Sequence, residues 1–239
     1  MRMNLLLLSN SRMPETGYLE HAMEAVSDIA SSCARVVFFP FAGVTIGWDD
    51  YTQTVREAFA PLGLSVVGAH TKKSGSGVLR QSDLIFVGGG NTFRLLAECR
   101  QRGWLDEIRT AVAGGSPYMG SSAGSVLACP TIRTTNDMPI VDPKGLEALA
   151  LVPFQLNCHF TDHMPPGHQG ETRRQRISEF LTLNPLERVI GLPEGDWIRI
   201  CETDCGLGGP FPAWEFRHAC DPVSYNAGPV PLGNRAIHK

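Results

Sequence analysis

Short apolar runs alternate with longer amphipathic stretches through the first half of the chain. The apolar runs are four or five residues long and predict buried strands over Asn4–Leu8, Arg35–Phe39, Leu64–Val67 and Asp83–Val87. The amphipathic stretches have apolar residues at helical spacing and predict helices over Tyr18–Ser31, Asp49–Phe59, Thr92–Arg102, Trp104–Ala113 and Ala123–Ala128. Short buried strands that alternate with helices favour a parallel sheet covered on both faces.

The second half of the chain shows the same alternation less regularly. Two strands and the helix between them are predicted over Leu156–Phe160, Thr172–Leu183 and Val189–Leu192. Trp197–Glu202, followed by Asp204-Cys205-Gly206, predicts a hairpin, and the prolines from Pro210 onward predict irregular structure or an edge strand. Because no repeat or linker interrupts the chain, we expect a single α/β domain over residues 1–239, with a mostly parallel, doubly wound sheet.

Composition and charge argue against some classes of binding partner. The 239 residues are 43% hydrophobic and 19% charged, which is typical of a globular chain rather than a disordered one. The net charge of −3 and the lack of a basic run argue against nucleic acid and anionic membranes as partners. The apolar run Leu5–Leu8 is too short for a membrane span or a secretory signal. Seven scattered cysteines favour reduced thiols and a cytoplasmic location.

The pentapeptide Gly120-Ser121-Ser122-Ala123-Gly124 matches the G-x-S-x-G pattern, with Ser122 at its centre. An apolar strand is predicted before it and a helix after it. In that context a sharp turn lifts the serine hydroxyl out of the sheet, and small neighbours prevent clashes. Ser122 is therefore the candidate nucleophile. The alternative is a small-residue turn that only packs a helix onto the sheet.

A serine nucleophile requires a base, and the base requires an acid that orients it. His159 and Glu194 each follow an apolar run that predicts a strand. His159 lies 37 positions after Ser122, and Glu194 lies 35 positions after His159. Because sites form at the carboxyl ends of parallel strands, we expect all three at the same edge of one sheet. Asp137, in a polar segment, is a competing acid. Structural roles for the histidine and the glutamate are the alternatives.

The run Gly88-Gly89-Gly90 also follows a predicted strand and precedes a helix. A dinucleotide fingerprint would have a third small residue where Phe93 stands, so the run is weak evidence for a cofactor. It fits better a place where a backbone N–H closely approaches a reacting oxygen. Asn91 can cap the following helix at the same time.

Metal binding is not predicted from the histidines and cysteines. The histidines at positions 159, 163 and 168 are separated by the Pro165-Pro166-Gly167 segment, which breaks any common helix. Cys201 and Cys205 do not complete a tetrahedral set with familiar spacing. We therefore expect no metal and no cofactor.

Several segments together resemble the peptidase E family, aspartyl dipeptidases whose fold is like that of class I glutamine amidotransferases. They are Leu5–Ser11, Pro40–Thr45, Val87–Phe93, Ser122–Gly124, Cys129–Pro143, Gly170–Arg173 and Gly191–Trp197. The resemblance extends to about Gly209, and its long Cys129–Pro143 stretch is highly specific. It implies cytosolic, metal-independent cleavage of small peptides that begin with aspartate, Asp-Xaa.

The resemblance also implies individual roles. The implied nucleophile, base, acid and two backbone oxyanion donors are Ser122, His159, Glu194, Gly90 and Ala123. Arg173 corresponds to the arginine of the family's Gly-Glu-Thr-Arg segment, and its planar guanidinium would bind the substrate's aspartate side chain.

Two residues beside the implied catalytic groups depart from the family pattern. Ser121 and Cys158 stand where members of the family have Trp and Pro. Two other functions stay open at this point. One is a related serine hydrolase that cleaves an aspartyl polymer such as cyanophycin, and the other is a non-catalytic ligand-binding module. The oligomeric state, monomer or homodimer, also stays open.

Overall fold

Five parallel strands form one part of the larger of two β-sheets in the computed structural model, which describes residues 3–75, 77–167 and 169–231. In spatial order these strands are β1 (Asn4–Leu8), β5 (Tyr118–Ser121), β4 (Asp83–Val87), β2 (Arg35–Phe39) and β3 (Ser65–Gly68). Beyond β1 the sheet continues through the antiparallel strands β8 (Trp197–Cys201), β9 (Asp204–Gly208) and β12 (Gly228–Pro229). This eight-stranded sheet, the large sheet, is mostly parallel.

Helices cover both faces of the large sheet. They are α1 (Met23–Ala30), α2 (Trp48–Phe59), α3 (Thr92–Gln101), α4 (Trp104–Ala113) and α5 (Ala123–Leu127). Leu6 and Phe38 share an apolar cluster with α1 and α2, whereas their neighbours Leu5 and Phe39 share another with α3, α4 and α5. Successive side chains of a strand point to opposite faces. The predicted α/β fold with a doubly wound sheet is therefore confirmed.

A second sheet of four strands, the small sheet, lies beside the large one. Its strands in spatial order are β6 (Gln155–Cys158), β7 (Arg188–Leu192), β10 (Ala213–Arg217) and β11 (Val223–Tyr225). β6 and β7 are parallel, and the other pairs are antiparallel. Helix α6 (Arg173–Leu183) packs Ile177 and Leu181 against Val189 and Phe216 of this sheet.

The two sheets share one core. Leu156 and Ile190 of the small sheet belong to the same buried cluster as Leu5 and Leu7 of the large sheet. This shared burial brings the carboxyl ends of β6 and β7 close to those of β1 and β5.

One sequence prediction about these sheets is wrong. Ser122, His159 and Glu194 do not lie at the edge of one sheet, because Ser122 follows β5 and the other two follow β6 and β7. The side of β1 that faces away from β5 is already hydrogen-bonded to β8, so β6 and β7 pair in a separate sheet. The segment after Pro210 contains the edge strands β11 and β12, which is one of the two predicted alternatives, and also β10, an interior strand between β7 and β11 that was not predicted.

Most predicted elements lie where the pattern of apolar residues places them. The largest difference is the first helix, which begins at Met23 after a 3₁₀ turn over Glu20–Ala22 rather than at Tyr18. Leu19 has a φ of 63° there, a left-handed conformation that does not continue a helix. The predicted Trp197–Glu202 hairpin is present as β8 and β9. Within the described residues, no helix is long and apolar enough to cross a membrane.

Candidate active site

Ser122 sits in a tight turn between β5 and α5. Its φ of 50° and ψ of −109° are unusual for a residue other than glycine. The turn requires glycine on both sides. A Cβ on Gly120 would lie 2.5 Å from the carbonyl oxygen of Gly124, and one on Gly124 would lie 2.1 Å from that of Val87. The G-x-S-x-G spacing therefore reflects close backbone packing that holds Ser122 at the end of the strand.

The side chains of Ser122, His159 and Glu194 form a continuous hydrogen-bonded chain. Ser122 Oγ lies 2.8 Å from His159 Nε2, and His159 Nδ1 lies 2.7 Å from Glu194 Oε1. When Nδ1–H donates to the carboxylate, Nε2 is left as the acceptor of the serine hydroxyl proton. This is the arrangement of nucleophile, base and orienting acid that serine hydrolases use.

Asp137, the competing acid, bonds elsewhere. Its Oδ2 accepts hydrogen bonds from the backbone N–H of Thr92 at 2.7 Å and from the Thr92 and Thr135 hydroxyls at 2.5 and 3.1 Å. It lines the same cavity of about 710 Å³ as Ser122 and His159. Of the two candidate acids, Glu194 is the one that contacts the histidine.

The glycine run after β4 lies beside the nucleophile. Gly90 lines the Ser122 cavity with a φ of 133°, and a Cβ there would lie 2.3 Å from the carbonyl oxygen of Ala42. Within the described residues, the backbone N–H groups of Gly90 and Ala123 donate to no protein acceptor. Both donors are thus available to a ligand. The Tyr51 hydroxyl donates to the carbonyl of Gly89 at 3.2 Å, on the peptide that carries the Gly90 N–H.

Arg173 is the one of three neighbouring arginines whose guanidinium has no hydrogen bond or ion pair within the described part of the chain. Arg174 pairs with Asp162 at 2.6 Å, and Arg176 lies 3.7 Å from Glu171. Burial lowers the pKa of Arg173, with a smaller contribution from Arg176. A partly desolvated, unpaired guanidinium is suited to a carboxylate ligand.

Arg173 does not line the Ser122 cavity. It lines an adjoining cavity of about 660 Å³, whose wall also includes His159 and Glu194. A smaller cavity of about 210 Å³ is lined by both Arg173 and Asp137. His159 and Glu194 border both larger cavities, so Arg173 shares a cavity with the base and the acid but not with Ser122.

The two residues that depart from the family pattern are both buried. Ser121 is fully buried, and its hydroxyl has no partner within the described residues. Cys158 donates from Sγ to the carbonyl of Ser122 at 3.7 Å, and burial raises the pKa of its thiol to about 12. Burial separates both side chains from any substrate, so neither competes with Ser122 as a nucleophile.

The described residues contain no group of three or more histidine, cysteine and acidic side chains that could hold a metal ion. His163 is exposed, and position 168 lies outside the described residues. Cys205 is buried in the core, whereas Cys201 is exposed.

Ser9 and Tyr51 also contact this site, and neither was predicted from the sequence to do so. Ser9 contacts the backbone of His159, and Tyr51 contacts the glycine run. The available signal for Ser9 was its place: it is a polar residue directly after a fully apolar strand, at the end where sites form. Tyr51 gave no such signal, because an aromatic residue at helical spacing is typical of a core.

The chain is similar to known peptidases over most of its length. The family model described as Peptidase family S51 matches residues 5–207. Proteins called Peptidase E from Salmonella typhimurium (strain LT2) and Shigella flexneri are 50% identical over 226 residues, which is 95% of this chain and 99% of theirs.

Solved structures share the fold. A crystal structure of a protein assigned as peptidase E from Listeria monocytogenes EGD-e matches with a TM-score of 0.64 at 23% identity, over 88% of this chain and 100% of that one. A peptidase from an acI-B1 Actinobacterium matches with a TM-score of 0.65 at 13% identity, over 94% and 98%. The predicted fold, like that of class I glutamine amidotransferases, is confirmed. The chain belongs to peptidase family S51, and it is a serine peptidase.

Proposed function

We propose that this peptidase hydrolyses dipeptides with N-terminal aspartate through an acyl-enzyme on Ser122. The observation that carries the proposal is the hydrogen-bonded chain from Ser122 through His159 to Glu194, with the unpaired Arg173 beside it. Ser122 Oγ attacks the carbonyl carbon of the N-terminal residue while His159 Nε2 takes the hydroxyl proton. Glu194 stabilises the resulting imidazolium.

The remaining steps use the same groups. The N–H groups of Gly90 and Ala123 bind the oxyanion of the tetrahedral intermediate. His159 returns its proton to the leaving amine, the C–N bond breaks, and the second residue departs. Water then attacks the acyl-enzyme with His159 again as base, and this step releases aspartate and restores the serine.

Arg173 and Asp137 account for the choice of substrate. An N-terminal aspartate has a side-chain carboxylate and an α-ammonium group. Arg173 supplies a cation for the first. Asp137 lines the Ser122 cavity and is held at Oδ2 by three donors, so it supplies a fixed anion for the second. Arg173 and Asp137 both border one small cavity, so the two opposite charges lie near each other.

We also propose a cytoplasmic location and a single domain. The odd number of scattered cysteines supports a cytoplasmic location. The apolar cluster shared by the two sheets supports a single domain. Whether the protein is a monomer or a homodimer does not change the chemistry, because every proposed catalytic group comes from one chain.

The experiment that tests the proposal is a comparison of substrates with the purified protein. We expect turnover of Asp-Leu far above that of Asn-Leu, Glu-Leu and Ala-Leu, and little release of product from a cyanophycin-like aspartyl polymer. A preference for the polymer would replace the dipeptidase proposal with the hydrolase alternative. Absence of turnover and of fluorophosphonate labelling would favour a ligand-binding module.

A further inference from the structure

Ser9 and Asn10 follow β1 directly and extend from the large sheet toward the small one. Both are buried, with 0% and 5% of their surface exposed. The Ser9 hydroxyl accepts a hydrogen bond from the backbone N–H of His159 at 2.9 Å and donates one to the carbonyl of Leu192 at 2.8 Å. One hydroxyl therefore links the backbone of His159 to the end of β7, the strand that precedes Glu194.

Two more contacts hold the turn that carries Glu194. Asn10 Oδ1 accepts from the backbone N–H of Gly195 at 2.8 Å, and the backbone N–H of Ser9 donates to the carbonyl of Asp196 at 2.9 Å. Bonds from Ser9 and Asn10 thus reach the chain both before and after Glu194.

The backbone of His159 needs such a contact. Its φ is 55°, in the left-handed region that residues other than glycine rarely adopt, and β6 ends immediately before it. A conformation of this kind persists only where the surroundings fix it. The bond to Ser9 satisfies the His159 N–H, which no strand partner takes up.

We propose that Ser9 is a positioning residue that sets the distance between the base and the acid, with Asn10 as a weaker second contact. Both act through His159 and Glu194, so the inference rests on the proposed function. Ser9 touches no reacting atom. It holds the backbones of His159 and of the Glu194 turn against the end of β1, the strand next to the one that presents Ser122.

The test compares Ser9→Ala with Ser9→Thr, which keeps the hydroxyl. Thr134→Val is the matched control, because the Thr134 hydroxyl is also buried and donates to the carbonyl of Leu156 at 2.8 Å on the strand that leads to His159. Kinetics with Asp-Leu and the rate of fluorophosphonate labelling are measured for each variant at a temperature where it is folded.

We expect Ser9→Ala to lower kcat and the labelling rate by roughly 10- to 100-fold with little change in KM, because small misplacement of a catalytic group is costly. Ser9→Thr should restore most of the loss, and Thr134→Val should lower thermal stability without lowering kcat. Asn10→Ala should lower kcat by a smaller factor. If Ser9→Ala does not yield folded protein, Asn10→Ala decides, and an unchanged kcat there overturns the proposal.

An unchanged kcat and labelling rate in folded Ser9→Ala would also overturn it, and so would a loss that Ser9→Thr does not restore. The proposed function fails in a different way. If wild-type protein is labelled but does not cleave Asp-Leu, the substrate is wrong, and the labelling rates still test Ser9. If His159→Gln is labelled as fast as wild type, the role of the base is wrong whatever Ser9 does.

Discussion

The large and small sheets contribute to the site in different ways. The large sheet presents Ser122 from a turn that Gly120 packs against the pentapeptide's own backbone and Gly124 packs against Val87 of the neighbouring strand β4. The small sheet presents His159 and Glu194 from two strand ends, with side chains that are 38% and 55% exposed. The nucleophile is thus held by its own pentapeptide and the adjacent strand of the same sheet, whereas the base and the acid depend on how the small sheet is held against the large one.

This difference separates two sources of catalytic geometry. A motif inside one sheet fixes a residue through backbone packing within the motif and against the next strand of that sheet, as Gly124 packs against Val87. A site assembled between two sheets requires contacts distant in sequence, such as those of Ser9, which bonds to residues 150 and 183 positions away. Substitutions in the two regions should therefore have different consequences.

The largest effect is expected in the large sheet. Ser122→Ala should lower kcat for Asp-Leu by roughly 10⁴-fold or more, because it removes the nucleophile. Ser121→Ala should retain most activity, since the Ser121 hydroxyl is buried away from the cavity. Steady-state kinetics of both purified variants check this, with circular dichroism as the control for folding. An active Ser122→Ala enzyme would show that the nucleophile lies elsewhere.

The next largest effect is expected at the acid of the small sheet. Glu194→Gln should slow labelling by a neutral fluorophosphonate by roughly 10²- to 10⁴-fold, because the histidine loses the group that orients it. Asp137→Asn should leave labelling nearly unchanged, because this probe has no ammonium group, and should raise KM for Asp-Leu. The reverse pattern would assign the orienting role to Asp137.

The sequence predicted most of what depends on local pattern. β2, β4 and α4 have the bounds that the sequence predicted, because turn residues delimit them. Ser122 was predicted from its pentapeptide. The division into two sheets was not predicted, since strand pairing depends on partners far along the chain. β6 was predicted to continue to Phe160, but the positive φ of His159 ends it at Cys158.

A smaller effect is expected at Arg173. Arg173→Met should lower kcat/KM for Asp-Leu by about 30-fold, ~2 kcal/mol, the low end for a lost charged contact because solvent partly screens this guanidinium. The ratio of kcat/KM for Asp-Leu to kcat/KM for Asn-Leu should fall in parallel. Arg176→Met, which removes an arginine at the surface of the same helix, is the matched control. If folded Arg173→Met keeps the full preference for Asp-Leu over Asn-Leu, another cation must bind the substrate's aspartate side chain.

Asp196 lies where the chain passes from β7 of the small sheet to β8 of the large one. Burial raises its pKa to about 7 from an ordinary 3.8, against the opposing effect of a hydrogen bond from the Phe211 N–H. Between about pH 4 and 7 the native carboxyl keeps a proton that the unfolded chain has lost, so the free energy of unfolding should fall as pH rises.

The contribution of Asp196 to the slope of the free energy of unfolding against pH should stay below about 1.4 kcal/mol per pH unit. Urea unfolding of wild type and of Asp196→Asn across this pH range measures it. The variant should lose this part of the pH dependence. Equal slopes for the two proteins would mean that Asp196 ionises normally in the native state.

The smallest expected effect is that of chelators. Because the proposed chemistry uses only protein groups, incubation with EDTA or phenanthroline should leave kcat/KM for Asp-Leu unchanged. The control is a known zinc peptidase treated in parallel. Loss of activity that added zinc restores would require a metal-dependent mechanism.

The site of covalent labelling tests most directly whether a nucleophile from the large sheet works with a base from the small one. The protein is treated with a fluorophosphonate, and fragmentation mass spectrometry locates the adduct. We expect one adduct per chain on Ser122, absent in Ser122→Ala and formed at least 100-fold more slowly in His159→Gln. An adduct on Ser121, or labelling of His159→Gln at the wild-type rate, would contradict the account.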